Sequence, residues 1–267
     1  MANSSKRIEK ILEKREKREK PVIQSETDLA RSFVSWLLQA KGTCFICLLV
    51  LGVFLWSQTL TESQFNSLIF TPESLLSLNF VPMISSWFLH ADLTHMIGNL
   101  VFLFIFGRVV ERVYGTTRML MIFFSSAIMS DIIAGLIFNQ GGIGASGAIS
   151  GIIGAAILNE PFYLNYTFFG LPLPIVIIGW LGIFADISGL LNPLPQDNIG
   201  HIAHLTGFFA MSLWLYATSK DKNKIQSGLV INILTMVGAI IFYTMYPETS
   251  FRDVVTTFLA SLPFIGK

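Results

Sequence analysis

Residues 141–155 read GGIGASGAISGIIGA, and Ser146 heads the apolar half of that run. A serine hydroxyl attacks a carbonyl at neutral pH only when a base takes its proton. Imidazole, with an unperturbed pKa of about 6.5, can accept that proton and return it to a leaving amine. The chain has 4 histidines, His90, His95, His201 and His204, and all fall in two short stretches, FLHADLTHMIGN and GHIAHLTG. Acyl transfer also needs donors aimed at an oxyanion. At a helix start, Ser146 offers its own backbone N–H and the positive end of the helix dipole. His95 and Asn99 are four residues apart, share a helix face, and add two side-chain donors. Each feature has a plainer use. Small residues at Gly147, Gly151 and Ala155 suit close helix packing, and a membrane His or Asn often bonds one helix to another. Chemistry requires that the three stretches meet.

The elements that must position them are membrane helices. The 267 residues are 52% hydrophobic and 13% charged, against about 25% charged in an ordinary soluble domain. Seven apolar segments stand near residues 43–57, 94–110, 118–138, 146–158, 168–187, 200–218 and 228–246. Open-ended segments satisfy their backbone in lipid only as helices, so the fold expected is all-α and polytopic. Cys44 and Cys47 lie one turn apart in the first segment without His or carboxylate company, and read as small hydrophobes. The net charge of +1 gives no reason to expect a nucleic acid partner. The N-terminal SKRIEKILEKREKREK mixes both signs over more than the n-region of a signal peptide. It reads as a charged cytosolic segment, residues 1–41, broken at Pro21.

The basic residues orient the spans. Ten Lys and Arg lie between Lys6 and Lys41; Arg108, Arg112, Arg118, Lys220, Lys222 and Lys224 follow, then Arg252 and Lys267. A cytosolic N-terminus puts 16 of the 18 on the inner side. Segments two, four and six then all enter from outside, at FLHADLTHMIGN, at Ser146 and at GHIAHLTG. Segment four has only about 13 residues before NEP at 159–161, against the ~20 needed to span. At ~1.5 Å per residue, Ser146 lies ~20 Å above the inner boundary, with His204 at about 22 Å and Asn99 at about 20 Å. The three are level. Irregular backbone at that depth, which GGIGA must supply, is tolerated only against protein or a water-filled cavity.

GASG at 144–147, AHLTG at 203–207, and HADLTHMIGN at 90–99 followed by GRVVERVYG at 107–115 resemble the signature of the rhomboid intramembrane serine proteases. The resemblance covers about residues 43–218. It implies a six-helix core, and a Ser–His dyad without a third acidic member that cleaves transmembrane proteins near their outer end. It maps the nucleophile to Ser146, the general base to His204 and oxyanion side chains to His95 and Asn99. Gly144 falls in the loop before the nucleophile. His201, one turn before His204, and His90, above the site, are supporting residues. Glu111 matches G-x-x-x-E-x-x-x-G and carries a structural hydrogen-bonding role. Asp131 and Asp186 do not fit the dyad. Three departures stand out: Met211 replaces a common Gly, Ser150 stands where some members have an aromatic ring, and VPMISSW replaces a Trp-Arg pair.

The expected organisation is a charged segment at 1–41, a core at 42–218, and a basic loop with a seventh, peripheral helix at 219–267. GLLNPLPQDN, after segment five, is a candidate mobile cap. The partners expected are transmembrane substrates and the lipid bilayer, and the chemistry needs neither metal nor organic cofactor. The charge pattern fits a plasma membrane. A catalytically silent rhomboid-like binder of transmembrane clients is the main rival. A transporter would want paired broken helices, and the sequence has one break.

Overall fold

The computed structural model describes residues 39–165, 173–191 and 200–245. The charged N-terminal segment, most of the connection after segment five and the C-terminal tail lie outside them. Seven helices of 14 residues or more dominate: α1 (Lys41–Ser57), α5 (Leu93–Tyr114), α6 (Thr116–Phe138), α7 (Ser146–Asn159), α8 (Ile175–Leu191), α9 (His201–Thr218) and α10 (Lys222–Met245). Three short ones, α2 (Glu62–Asn66), α3 (Pro72–Leu76) and α4 (Phe80–Ser86), fill the stretch between α1 and α5. α5 and α6 are long and apolar enough to cross a bilayer. Many large side chains face outward, among them Leu48 and Leu55 of α1, Leu213 and Trp214 of α9 and Leu234 of α10. Such a surface suits lipid better than water.

α7 is the centre. Every residue from Gly147 to Asn159 is buried, as expected of a helix that is apolar all round. Its small residues let neighbours come close. A Cβ on Gly207 of α9 would overlap the Gly147 carbonyl oxygen, and one on Gly151 would overlap Ser126 of α6. Two serines of α6 tie the crossing together: Ser126 Oγ donates to Gly147 O at 3.0 Å and Ser130 Oγ to Ala203 O at 2.7 Å. Met211 does not hold the helices apart; its side chain is buried in the core one turn further on.

Glu111, near the end of α5, holds the start of α1. Its carboxylate accepts from the Gly42 and Thr43 N–H groups at 2.8 and 2.9 Å, the Thr43 hydroxyl at 2.8 Å and the Thr116 hydroxyl at 2.6 Å. The first N–H groups of a helix have no partner of their own, so this carboxylate is a cap supplied from another helix. Glu111→Ala should therefore destabilise the fold by about 1–3 kcal/mol, read as a lower unfolding temperature in detergent.

The connection between α1 and α5 is pinned to the loop before α7. Gly142 N donates to Phe70 O at 3.0 Å and Gly144 N to Ser86 O at 2.8 Å. Trp87 Nε1 donates to Asp131 Oδ2 of α6 at 2.6 Å. Trp87 closes the VPMISSW stretch and thus anchors it.

Three expectations shift. Segment five was placed at 168–187, whereas α8 runs from Ile175 to Leu191, and residues 166–172 are not described. Leu173–Pro174 (β2) pairs with Leu164–Asn165 (β1) in a two-residue antiparallel ladder. The first N–H groups of α8 then donate back to that connection, Ile175 N to Tyr163 O and Val176 N to Pro161 O. The all-α expectation thus holds for the helical body and misses this small ladder. The last helix is also less peripheral than its sequence implies. Asn232 of α10, 5% exposed, accepts from Trp180 Nε1 of α8 at 2.7 Å and donates to Ile157 O of α7 at 3.1 Å. Gly228 lies against the Leu158 backbone.

Candidate active site

Three elements carry the polar groups: the first turns of α5, α7 and α9. Asp92 caps α5 by accepting from His95 N at 2.8 Å, which fixes where the His95 and Asn99 face begins. Ala145 precedes α7 without a side-chain cap. The N–H groups of Ser146 and Gly147 are therefore first-turn donors with no acceptor inside the helix. Ser146 is half-buried.

Gly144 joins the α5 and α7 groups. Its φ of +115° is a region that residues with a Cβ rarely enter. A Cβ there would stand 2.7 Å from His95 Nε2 and 3.4 Å from Asn99 Nδ2. The backbone just before Ser146 thus lies against both side chains expected to donate.

His90 sits behind them, 1% exposed. Its Nδ1 is 3.2 Å from Phe88 O, and its Nε2 is 2.7 Å from Asn99 Nδ2. Burial pushes its pKa down to about 4, so the ring is neutral. Donation from Nδ1–H to the carbonyl leaves Nε2 to accept from the Asn99 amide. His90 therefore bonds the connection between α1 and α5 and also orients Asn99. Its ring meets His95 edge-on at 4.9 Å between centroids.

On α9, His201 and His204, one turn apart, both turn toward Asp186 of α8. The His201 ring packs over Gly189 of α8, where a Cβ would overlap it. His204 follows Ala203, the residue whose carbonyl α6 holds beside Gly147. Ser146 and His204 are thus the chain neighbours of Gly147 and Ala203, where α7 and α9 come close.

Asp186 of α8, which sequence reasoning does not tie to the dyad, is the residue it misses. Its Oδ1 lies 2.7 Å from His204 Nδ1 and 2.8 Å from His201 Nδ1, with the carboxylate 11% exposed. An acid one helix away inside an apolar segment was the available signal. These three ligand-type atoms lie within 4.8 Å of one another, and the two short contacts are hydrogen bonds that account for the cluster without an ion.

Chemically, the arrangement offers a hydroxyl at a helix N-terminus, an imidazole backed by a carboxylate, and amide and imidazole donors beside the intervening loop. The Rhomboid domain family matches residues 77–221, just over half of the chain. Rhomboid protease GlpG of Haemophilus influenzae is 26% identical over 144 residues, 54% of this chain and 72% of that protein. Rhomboid protease GluP of Bacillus subtilis is 35% identical over 127 residues, 46% of this chain and 24% of that protein. The chloroplastic Rhomboid-like protein 11 of Arabidopsis thaliana is 25% identical over 209 residues, 74% of this chain and 72% of that protein. With its apolar helices and this match, the chain is an integral membrane protein that belongs to the rhomboid family.

Proposed function

We propose that the protein is an intramembrane serine endopeptidase that cuts transmembrane proteins near the outer face of the membrane. The observation that carries this is the close approach of α7 and α9 at Gly147, Ala203 and Gly207, residues whose chain neighbours include Ser146 and His204. In the proposed reaction His204 Nε2 takes the Ser146 hydroxyl proton as Oγ attacks the scissile carbonyl. The Ser146 N–H, His95 and Asn99 stabilise the resulting oxyanion. His204 then gives its proton to the leaving amine, and water repeats the sequence on the acyl-enzyme. The substrate helix must unwind locally, because its carbonyls are otherwise held in its own hydrogen bonds, so small or helix-weakening residues belong near the cut.

α1 and α5–α9 form the six-helix core in this reading and α10 the additional helix. The cluster of Arg112, Glu160 and Lys224 at the opposite end supports a cytosolic inner side, with the site opening outward from a plasma membrane. Purified protein reconstituted with a fluorescent single-span substrate carrying small residues near its outer end should cleave it. No cleavage, with the substrate still bound, would favour the silent client-binding rival.

Gly144 gives a sharper prediction. Gly144→Ala puts a methyl group where the oxyanion donors converge, and forces a Cβ onto a φ of +115°. Cleavage should fall roughly 10²–10³-fold, as when one oxyanion donor is lost, measured as kcat/KM on the same substrate.

A further inference from the structure

We propose that Asp186 is a positioning residue for His204, so that this protein works with a Ser–His–Asp relay in place of a bare dyad. The proposal rests on the functional reading above and deepens it. Its observation is the convergence of two imidazole Nδ1 atoms, 2.7 and 2.8 Å away, on one carboxylate oxygen.

The geometry has one consequence for protons. A carboxylate only accepts, so His204 carries its proton on Nδ1 and keeps the Nε2 lone pair for the Ser146 hydroxyl. When Oγ bonds to the substrate carbon, the Oγ–H proton moves to Nε2 and the carbonyl π pair moves to oxygen. The imidazolium so formed keeps Nδ1–H on Asp186 Oδ1, which stays ionised throughout. On collapse the C–N bond breaks, and the Nε2 proton leaves with the amine. No proton passes to Asp186.

His201 completes the arrangement. Its ring is held over Gly189, so its Nδ1–H reaches the carboxylate from a fixed side and stops Oδ1 from swinging away from His204. Among the described residues, the titratable groups beside His204 are Asp186 from α8, 2.7 Å away, and His201 on its own helix, with ring centroids 6.4 Å apart; His95 of α5 is the next one. Asp186 is the one anion among them. Because the carboxylate rides on α8 and both imidazoles on α9, the bond also fastens those helices together.

Asp186→Asn is the test, in detergent-purified full-length protein with the single-span substrate above. The amide can donate to Nδ1 and drive the His204 proton onto Nε2, so kcat/KM at its plateau should fall roughly 10²–10⁴-fold. Loss of the anion also disfavours the imidazolium, so the acidic limb of the kcat/KM profile should move to lower pH. Asp186→Glu should restore part of the rate and move the limb back. A purely structural role would lower activity alike at every pH and leave the limb in place. That outcome, or activity within about threefold of wild type, overturns the proposal. Ser146→Ala separates the two claims: if it retains activity, the nucleophile assignment fails; if it is inactive while Asp186→Asn is not, only the relay fails. Should Asp186→Asn not fold, proton NMR of the wild type serves. A far-downfield imidazole N–H that disappears in His204→Ala upholds the bond, and its absence overturns it.

Discussion

Ser146→Ala and His204→Ala should each remove cleavage of a single-span substrate by roughly 10⁴–10⁶-fold, and the double variant should be no worse than either alone. The reason is that the two groups act in one proton transfer. A hydroxyl without its base is a poor nucleophile, and a base without its nucleophile has nothing to activate. Stability should barely change for Ser146→Ala, because the side chain is half-buried and no packed volume beyond one oxygen is lost. His204→Ala also frees Asp186 from one of its two donors, so a modest loss of stability is expected there. Cleavage rates read by gel or fluorescence, with unfolding temperatures beside them, separate the two effects.

The second large effect is expected at a residue that does no chemistry. Gly207→Val should unseat the site by forcing α9 away from α7. Its new side chain would overlap the Gly147 carbonyl oxygen and press on Ser126 Oγ at 3.2 Å. The first obstacle is backbone, which cannot rotate aside as a side chain can. Overpacking of this kind costs about 1–3 kcal/mol or more. The loss of activity should exceed it, because a shift of ~1 Å between reacting groups can cost about 10²-fold by itself. Gly52→Ala is the control. A Cβ at Gly52, on the outward face of α1, meets nothing within 4 Å, so activity and unfolding temperature should stay near wild type. Equal damage from both would show that the crossing is not special.

The helices were legible in the sequence because long apolar segments can satisfy their backbone in lipid only as helices, and seven such segments correspond to the seven long helices among the described residues. A hydrogen-bonding role for Glu111 was legible through its place in G-x-x-x-E-x-x-x-G, whereas its donors at the first turn of α1 were not. What escaped depends on rotation of one helix about its axis relative to another. Asp186 and His204 are 18 residues apart on different helices, and periodicity along each does not tell which faces meet. The same holds for Trp87 with Asp131 and for Trp180 with Asn232. The spacing of Ser126 and Ser130, four apart on an apolar segment, was a readable sign of a polar seam, though not of its partner. The β1–β2 ladder escaped for another reason: two residues are too short to show alternation.

The central claim is that Ser146 is a water-accessible nucleophile activated by His204. It is tested most directly by incubating the detergent-purified protein with a serine-reactive fluorophosphonate and locating the adduct by peptide mass spectrometry. A single adduct on Ser146 that forms in the wild type and fails to form in His204→Ala is the result expected. An unmodified Ser146 in protein that still cleaves its substrate, or equal labelling without His204, would contradict it.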